Sequence, residues 1–423
     1  MGKEQRATAM TTVDRAGQAA LDSVDSYLAE ALSVIRPLAP RDVALAEADG
    51  AVLAEDVTAD SPLPSFDSSA MDGYAVRAAD IAGAAPGTPV TLPVDGEVPA
   101  GDTSRHEVAA GTCVRIMTGA LMPAGADAVV PVEWTDGGTD RVTITAAVAP
   151  GDSIRRSGGD ARQGDLLLAA GTRLGPPQLG LLAAAGRGSV LARPRPRVTV
   201  ISTGNELAEP GEPLIPGRIW ESNSFMLAAA ARQAGCVARR HPIVPDRQDA
   251  VLAAIEDELS RADLLVTSGG VSMGGEHDIV KATLRKLGTV TFRKVAMQPG
   301  MPQGFGTVGP VATPIFTLPG NPVSAYVSFR LFVVPAVRAL QNLDPKRQPA
   351  ARAVLTAAVR SPPGKRSFLR GILDHQARAV TPVTGQASHQ LASLARSNAL
   401  IVVPEQIAVL APGDAVDVLE LPW

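Results

Sequence analysis

The sequence predicts a multidomain chain built around a three-layer α/β/α domain with a mostly parallel sheet, with β-rich domains before and after it. Three observations lead there. Strand-like and helix-like runs alternate across residues 193–341. Short Val/Thr-rich runs broken by Pro and Gly, such as "TPVTLPV" and "DRVTITAAV", fill residues 57–149. Residues 342–423 alternate apolar and polar positions in "ARAVLTAAV", "SFLRGIL", "NALIVVP" and "AVDVLEL", the pattern of a small all-β domain.

Each element follows from its residues. The N-terminal "MGKEQRATAMTTVDRAG" is polar and lacks a signal-peptide core, so residues 1–20 read as a flexible leader of a cytoplasmic protein. Val24, Leu28, Leu32 and Ile35 recur at helical spacing over Ser23–Leu38, and a second helix is expected to start near Leu45. Residues 150–192 return to turns, short strands and the proline-opened helix "PPQLGLLAAAG". Residues 21–56 and 150–192 therefore form one domain interrupted by the β-rich insert 57–149. After the stiff connector "RPRPRV" the rhythm becomes strand and helix in turn: "RVTVIST", "SNSFMLAAAARQAG", "CVARRHPIV", "RQDAVLAAIEDELSRA", "DLLVTS", "EHDIVKATLRKLG", "TVTFRKVAM", "PIFTLPG" and "NPVSAYVSFRLFVVPAVRAL". Such alternation requires a sheet covered on both faces, with ligands beyond the carboxyl ends of the strands.

Composition narrows the function. The chain has 423 residues, 45% apolar, with a net charge of only −4 and 3% aromatics. That is globular material with no electrostatic or stacking reason to bind nucleic acid or an anionic membrane. No apolar run approaches the roughly 18 residues of a membrane span. The two cysteines, Cys113 and Cys236, lie in apolar contexts and are expected to be reduced and buried.

Three loops follow predicted strands. "STGNEL" carries Ser202, Thr203, Gly204 and Glu206. "TSGGVSMGGEHD" carries Ser268, Gly269, Gly270, Ser272, Glu276 and Asp278. "LPGNPVS" carries Pro319, Gly320, Asn321, Pro322 and Ser324. Glycine lets backbone approach a ligand, and free N–H groups at a helix start favour anions. The second loop is neither a P-loop nor a dinucleotide fingerprint. One such loop alone is as well explained by turn chemistry; three on one sheet edge are not. The acids Glu206, Asp246, Glu276 and Asp278 would repel a bare anion. They make sense beside a phosphate if Mg²⁺, which takes one or two carboxylates plus phosphate oxygens, bridges them. Helix N-capping is the competing explanation and the stronger one for Asp246 alone. The few histidines show no zinc spacing. Outside this domain, "PSFDSSAMDGYAV", "RIMTGALMP", "IRRSGGD" and "GQASHQLASLARSN" offer Asp72, Thr118, Asp160 and Ser388, and "FLRG" places Arg370 in a strand of the last domain; turn or surface chemistry, or an ion pair for the arginine, would also explain them.

Taken together, "FDSSAMDGYAV", "RIMTGA", "STGNEL", "TSGGVSMG", "LPGNPVSA" and "FLRG", in this order from about Leu21 to the end, resemble the molybdopterin molybdenumtransferase family, the MoeA type also found as the E-domain of gephyrin. The resemblance implies a MogA-like pterin-binding domain, a C-terminal β-barrel and an elongated homodimer whose active site is shared between subunits. It implies that adenylylated molybdopterin and molybdate react, with Mg²⁺, to release AMP and yield the molybdenum cofactor. A separate molybdopterin adenylyltransferase would supply the substrate, and molybdoenzymes would accept the product. Asp72 would reach the partner's site, and Thr118 and Asp160 fall on matching positions. Glu206, Asp246 and Asp278 match acids that bind metal or handle protons, and Lys294 a basic residue near the pterin phosphate. Pro319, Pro322 and Ser324 match the third loop, and Arg370 and Ser388 positions associated with oxyanion binding. The chain departs from the pattern at Gln298 and Met301, where many relatives carry lysines, at Asn205, where many carry Asp, and at Gly275 and Glu276. Arg370, Lys294 and Lys281 are the cations available to compensate. The missing lysines motivate two alternatives: a non-catalytic pterin-binding or anchoring scaffold, and a paralogue using another oxyanion such as tungstate.

Overall fold

The computed structural model describes residues 21–270, 279–286, 290–346 and 350–422. They divide into two compact units: one joins the chain up to Ala39 with Pro194 onward, and the other is Pro40–Arg193.

In the first unit a six-stranded sheet runs in the order Val237–Arg240, Arg197–Ser202, Leu264–Ser268, Thr313–Leu318, Pro302–Val308, Val290–Lys294. The first four strands are mutually parallel, and the last two pairings are antiparallel. Alternation within the central strands feeds two cores. Val198, Val200, Leu264, Val266, Phe316 and Leu318 pack with Leu227, Val323 and Phe329 from helices on one face. Ile201, Leu265 and Ile315 pack with Val251, Ile255, Val280 and Leu284 on the other. Both faces are therefore dry, as a parallel sheet requires. The strand Pro302–Val308, which lies between Thr313–Leu318 and Val290–Lys294, was not legible in the sequence; it begins on proline and contains Gly304 and Gly306, which read as turn chemistry.

The first helix spans Val24–Ser33, capped by Ser23, whose hydroxyl accepts from Ser26 N at 3.0 Å. It stops short of the expected Leu38 because Pro37 biases Arg36 away from helical backbone. Its Tyr27, 1% exposed, meets Phe305 and Phe332 edge-on at 5.2 and 4.7 Å, so this helix belongs to the α/β core. The helix expected near Leu45 is a single 3-10 turn, Leu45–Glu47, followed by Gly50 at φ +74°.

The run Pro322–Leu340 is helical throughout, with a π-helical turn at Phe329–Val333. At 19 residues and mean hydropathy 1.5 it is long and apolar enough to span a membrane, contrary to the sequence expectation, but its window is 89% buried inside the protein. The C-terminal strands close on themselves. Arg366–Asp374, Ala379–Pro382, Ala350–Leu355, Ala415–Glu420 and Ala399–Val403 are neighbours in turn, and the last pairs back with the first. This five-stranded barrel encloses Leu369, Val380, Ile401 and Val418.

In the second unit, Arg41–Ala44, Ser189–Arg193 and Val52–Leu53 form one small sheet over Leu174 and Leu182. The sheet Ala128–Pro131, Gly73–Val76, Cys113–Ile116, Val90–Val98, Arg141–Ile144 lies between them in sequence.

Candidate active site

The three sequence-predicted loops meet at the carboxyl edge of the sheet. Parallel register places Ser202 beside Ser268 and Ser268 beside Leu318, so the loops leave the sheet level with one another. Thr203 N donates to Ser268 O at 3.3 Å, and Gly269 N to Leu318 O at 3.2 Å. Gly269 has φ +98°, and a Cβ there would lie 2.9 Å from Thr203 O. Only glycine lets these two loops come so close. Gly270 is also left-handed, at φ +71°. A Cβ on Gly320 would lie 3.6 Å from the Gly269 Cα, which puts the third loop against the second.

The acids of the first loop fall into place. The Glu206 carboxylate folds over Gly204, where a Cβ would meet its oxygens at 2.6 and 2.7 Å. Asn205 and Asp246 exchange bonds: Asn205 N donates to Asp246 Oδ2 at 3.2 Å, and Asp246 N to Asn205 Oδ1 at 3.1 Å. Asp246 is thereby fixed one residue from Glu206. Ser272, Gly275, Glu276 and Asp278 lie outside the described residues.

In the third loop, Asn321 precedes the Pro322–Ser328 helix, and Ser324 is 4% exposed. Asn321 Nδ2 donates to Ser388 Oγ at 3.0 Å, and Val323 N to Ser388 O at 3.0 Å. The barrel thus supplies one wall through Ser388. Arg370 stands beside it, fully buried. Its Nη2 donates to Gly385 O and to Ala387 O, the latter at 3.2 Å, while Nε and Nη1 have no acceptor among the described residues. Burial lowers its pKa. A guanidinium with two buried, unmet N–H groups is suited to an oxyanion. Lys294 is exposed at the end of an edge strand whose direction matches Thr313–Leu318, so it lies on the same sheet edge. Gln298 is exposed and pairs with Ser367 of the barrel.

In the other unit, Asp72 and Thr118 come together. Thr118 N and Oγ1 both donate to Asp72 Oδ1 at 2.7 Å, and these bonds, the N–H first, hold the Asp72 carboxyl below its ordinary range. Asp160 stands apart on a glycine turn, its N–H donating to Leu63 O at 2.9 Å.

Two residues escaped sequence reasoning. Asn223, read only as a helix start, donates Nδ2 to Ser268 Oγ at 2.8 Å and to Gly320 O at 2.7 Å. Glu221, 2% exposed, accepts from Ser202 Oγ at 2.9 Å. Their signal was the string "WESNS" directly after a turn, where a polar residue is ordinarily surface.

The donor set suits Mg²⁺. Glu206 and Asp246 offer hard carboxylate oxygens. Among the described residues no three His, Cys, Asp or Glu side chains gather as a complete metal cluster, so phosphate oxygens would have to finish the shell. Thr203 Oγ1 and Asn223 Oδ1 are buried polar atoms with no partner among the described residues, as expected of a site that takes a polar ligand.

Three family profiles match the chain: the MoeA N-terminal region (domain I and II) over residues 22–186, a probable molybdopterin binding domain over 199–339, and the MoeA C-terminal region (domain IV) over 352–421. The chain is 47% identical over 405 residues to molybdopterin molybdenumtransferase 2 of Mycobacterium tuberculosis, covering 94% of this chain and 99% of that one. It is 38% identical to the molybdopterin molybdenumtransferase of Bacillus subtilis, covering 90% and 91%. Among solved structures it resembles the molybdopterin biosynthesis moeA protein from Pyrococcus horikoshii OT3, with a TM-score of 0.72, 29% identity, and coverage of 95% and 100%.

Proposed function

Because the chain belongs to the MoeA family, we propose that it is a molybdopterin molybdenumtransferase, which transfers molybdenum from molybdate into adenylylated molybdopterin and releases AMP. The carrying observation is the convergence of three loops, two acids and an unpaired arginine at one sheet edge. The transferase names of relatives aligned over nearly the whole chain favour turnover over a scaffold.

The chain's own groups divide the work. The backbone of the glycine loops and of the turn that opens the Pro322–Ser328 helix holds the pyrophosphate. Glu206 and Asp246, with Asp278, would hold Mg²⁺, which when bound would supply positive charge to offset that developing on the departing phosphate. Arg370 and Ser388 seat the molybdate oxygens, with Lys294 on the same edge. Placing the oxyanion beside the pterin dithiolene lets proximity supply much of the rate. With Gln298 and Met301 uncharged, Arg370 carries most of the anion's neutralisation.

The site is completed by a second copy of the chain, whose Asp72, held by Thr118, reaches it from the other subunit. Phe66, Met71 and Leu121, exposed 45, 40 and 40% around that segment, support an apolar contact there. The protein works in the cytoplasm, where the buried thiols of Cys113 and Cys236 stay reduced. An adenylyltransferase supplies its substrate and molybdoenzymes take its product.

The test follows AMP from adenylylated pterin and Mg²⁺ with and without molybdate. Molybdate-dependent AMP release is expected. Glu206→Gln and Asp278→Asn are expected to abolish it while pterin binding persists; full activity in both rejects the roles. Mixing Asp72→Asn subunits with Glu206→Gln subunits should restore activity, since each mixed dimer then holds one intact site. A site confined to one chain gives no restoration. Titrating tungstate against molybdate in the same assay decides the oxyanion.

A further inference from the structure

We infer that Glu221 and Asn223 are positioning residues for this reaction, and that together they set the spacing of the three ligand loops. The inference rests on the proposed function for its kinetic part only.

The argument begins with what Glu221 holds. Its backbone and side chain tie both ends of the Glu206 loop. Glu221 N donates to Ala208 O at 2.9 Å, on the far side of Glu206, and Ile219 N donates to Glu206 O itself at 2.8 Å. On the near side, Glu221 Oε1 takes the Ser202 hydroxyl at 2.9 Å. The loop that presents Glu206 is therefore closed by one buried residue. Burial of a carboxylate is costly unless its charge and lone pairs are met. Here Ser224 N reaches Oε1 at 2.7 Å, Ser224 Oγ reaches Oε2 at 2.6 Å, and Arg240 Nη2 lies 3.6 Å away. Arg240 is itself held by Glu209 at 3.0 Å and stacked on Phe225 at 3.4 Å. The charge is paired, and the carboxylate is rigid.

Two residues further on, Asn223 does the same for the other loops. Its single amide nitrogen spends both hydrogens, one on Ser268 Oγ of the second loop and one on Gly320 O of the third. Because Gly320 O can only accept, the amide orientation is fixed. Aspartate at 223 could not make this bridge. The Glu221–Asn223 segment thus touches all three loops, and neither side chain needs to touch substrate.

Glu221→Gln and Ser202→Ala both weaken the near-side tie; the second leaves the buried charge intact and covers the case in which Glu221→Gln does not fold. Displacing Glu206 by an ångström is expected to lower kcat about 100-fold with KM little changed. Asn223→Ala and Asn223→Asp are both expected to raise KM for adenylylated pterin. The decisive measurement is the Ser202→Ala, Glu221→Gln double variant, in which Glu206 is intact and a rate remains to be read. If Glu221 acts through its bond to Ser202, the double variant is no slower than Glu221→Gln alone. Losses that multiply, or unchanged kcat and KM in the single variants, overturn the inference. Amide hydrogen exchange over residues 202–208 should quicken in Glu221→Gln and Ser202→Ala, and unchanged exchange also overturns it. That readout needs no turnover. Wild-type protein that releases no AMP would refute the proposed function and leave the exchange result to judge the positioning.

Discussion

Gly269→Ala should be the most damaging single-methyl change at the sheet edge. The native φ of +98° costs an L-residue about 1–3 kcal/mol. The added Cβ would lie 2.9 Å from Thr203 O, a backbone atom whose own N–H is engaged with Ser268 O at 3.3 Å. Relief therefore requires one loop to move against the other, an overpacking cost of about 1–3 kcal/mol. The sum, about 2–6 kcal/mol, is a large part of the 5–15 kcal/mol that typically separates folded from unfolded protein. At about 2–4 °C per kcal/mol the melting point should fall by roughly 4–24 °C. Gly320→Ala is the internal control. Its Cβ would sit at an ordinary 3.6 Å from the Gly269 Cα and should cost within about 0.5 kcal/mol. Calorimetry on both variants, with AMP release alongside, checks the pair. If the two alanines melt together, the close-approach reasoning is wrong.

Other outcomes follow from the same structure. Arg370→Met should change stability by less than about 1 kcal/mol, because no buried carboxylate loses its partner, while the molybdate requirement for half-maximal AMP release rises steeply; a collapse of the fold would show that Arg370 is structural. Thr118→Val removes one of the two donors on Asp72, so the Asp72 carboxyl should titrate closer to its ordinary value by NMR, with the N–H bond still holding it somewhat low. Asp102 is lowered to about 2 by Ser104 N–H and hydroxyl and by His106. Its folded pKa is depressed, so its contribution to stability is complete above its ordinary value near 4 and is lost as pH falls toward 2; Asp102→Asn should flatten that acid limb in pH-dependent melts.

What could be read from the sequence was what local pattern carries. The Val/Leu-rich strands of the parallel sheet are continuous apolar runs, and each is followed by a glycine or polar loop, so the sheet edge and its three loops were visible. The closed barrel likewise announced itself by alternation. What stayed hidden depends on contacts between distant residues. Pro302–Val308 is a strand because its neighbours on both sides supply ladder bonds, and its own proline and glycines argue against it. The Val24–Ser33 helix is amphipathic, but nothing local says that Tyr27 will pack on Phe305 and Phe332. Glu221 and Asn223 look like exposed polar residues before a helix, and only the fold buries one and stretches the other between Ser268 and Gly320. Arg370 could be placed on a strand, yet that its Nε and Nη1 meet no acceptor among the described residues is a fact of three dimensions.

The bond from Asn321 to Ser388, and the one that Val323 N makes to the same residue, bind the fate of the pterin loop to that of a domain almost seventy positions away. A fragment ending near residue 341 would keep its sheet and the core around Val251 and Ile255, but would lose Phe368, Leu394, Leu400 and Leu421 from the other core and leave the opening turn of its longest helix without a lid. Mutations inside the barrel that merely loosen its closure should therefore register as weaker grip on the cofactor precursor. The barrel is in that sense one wall of the proposed site.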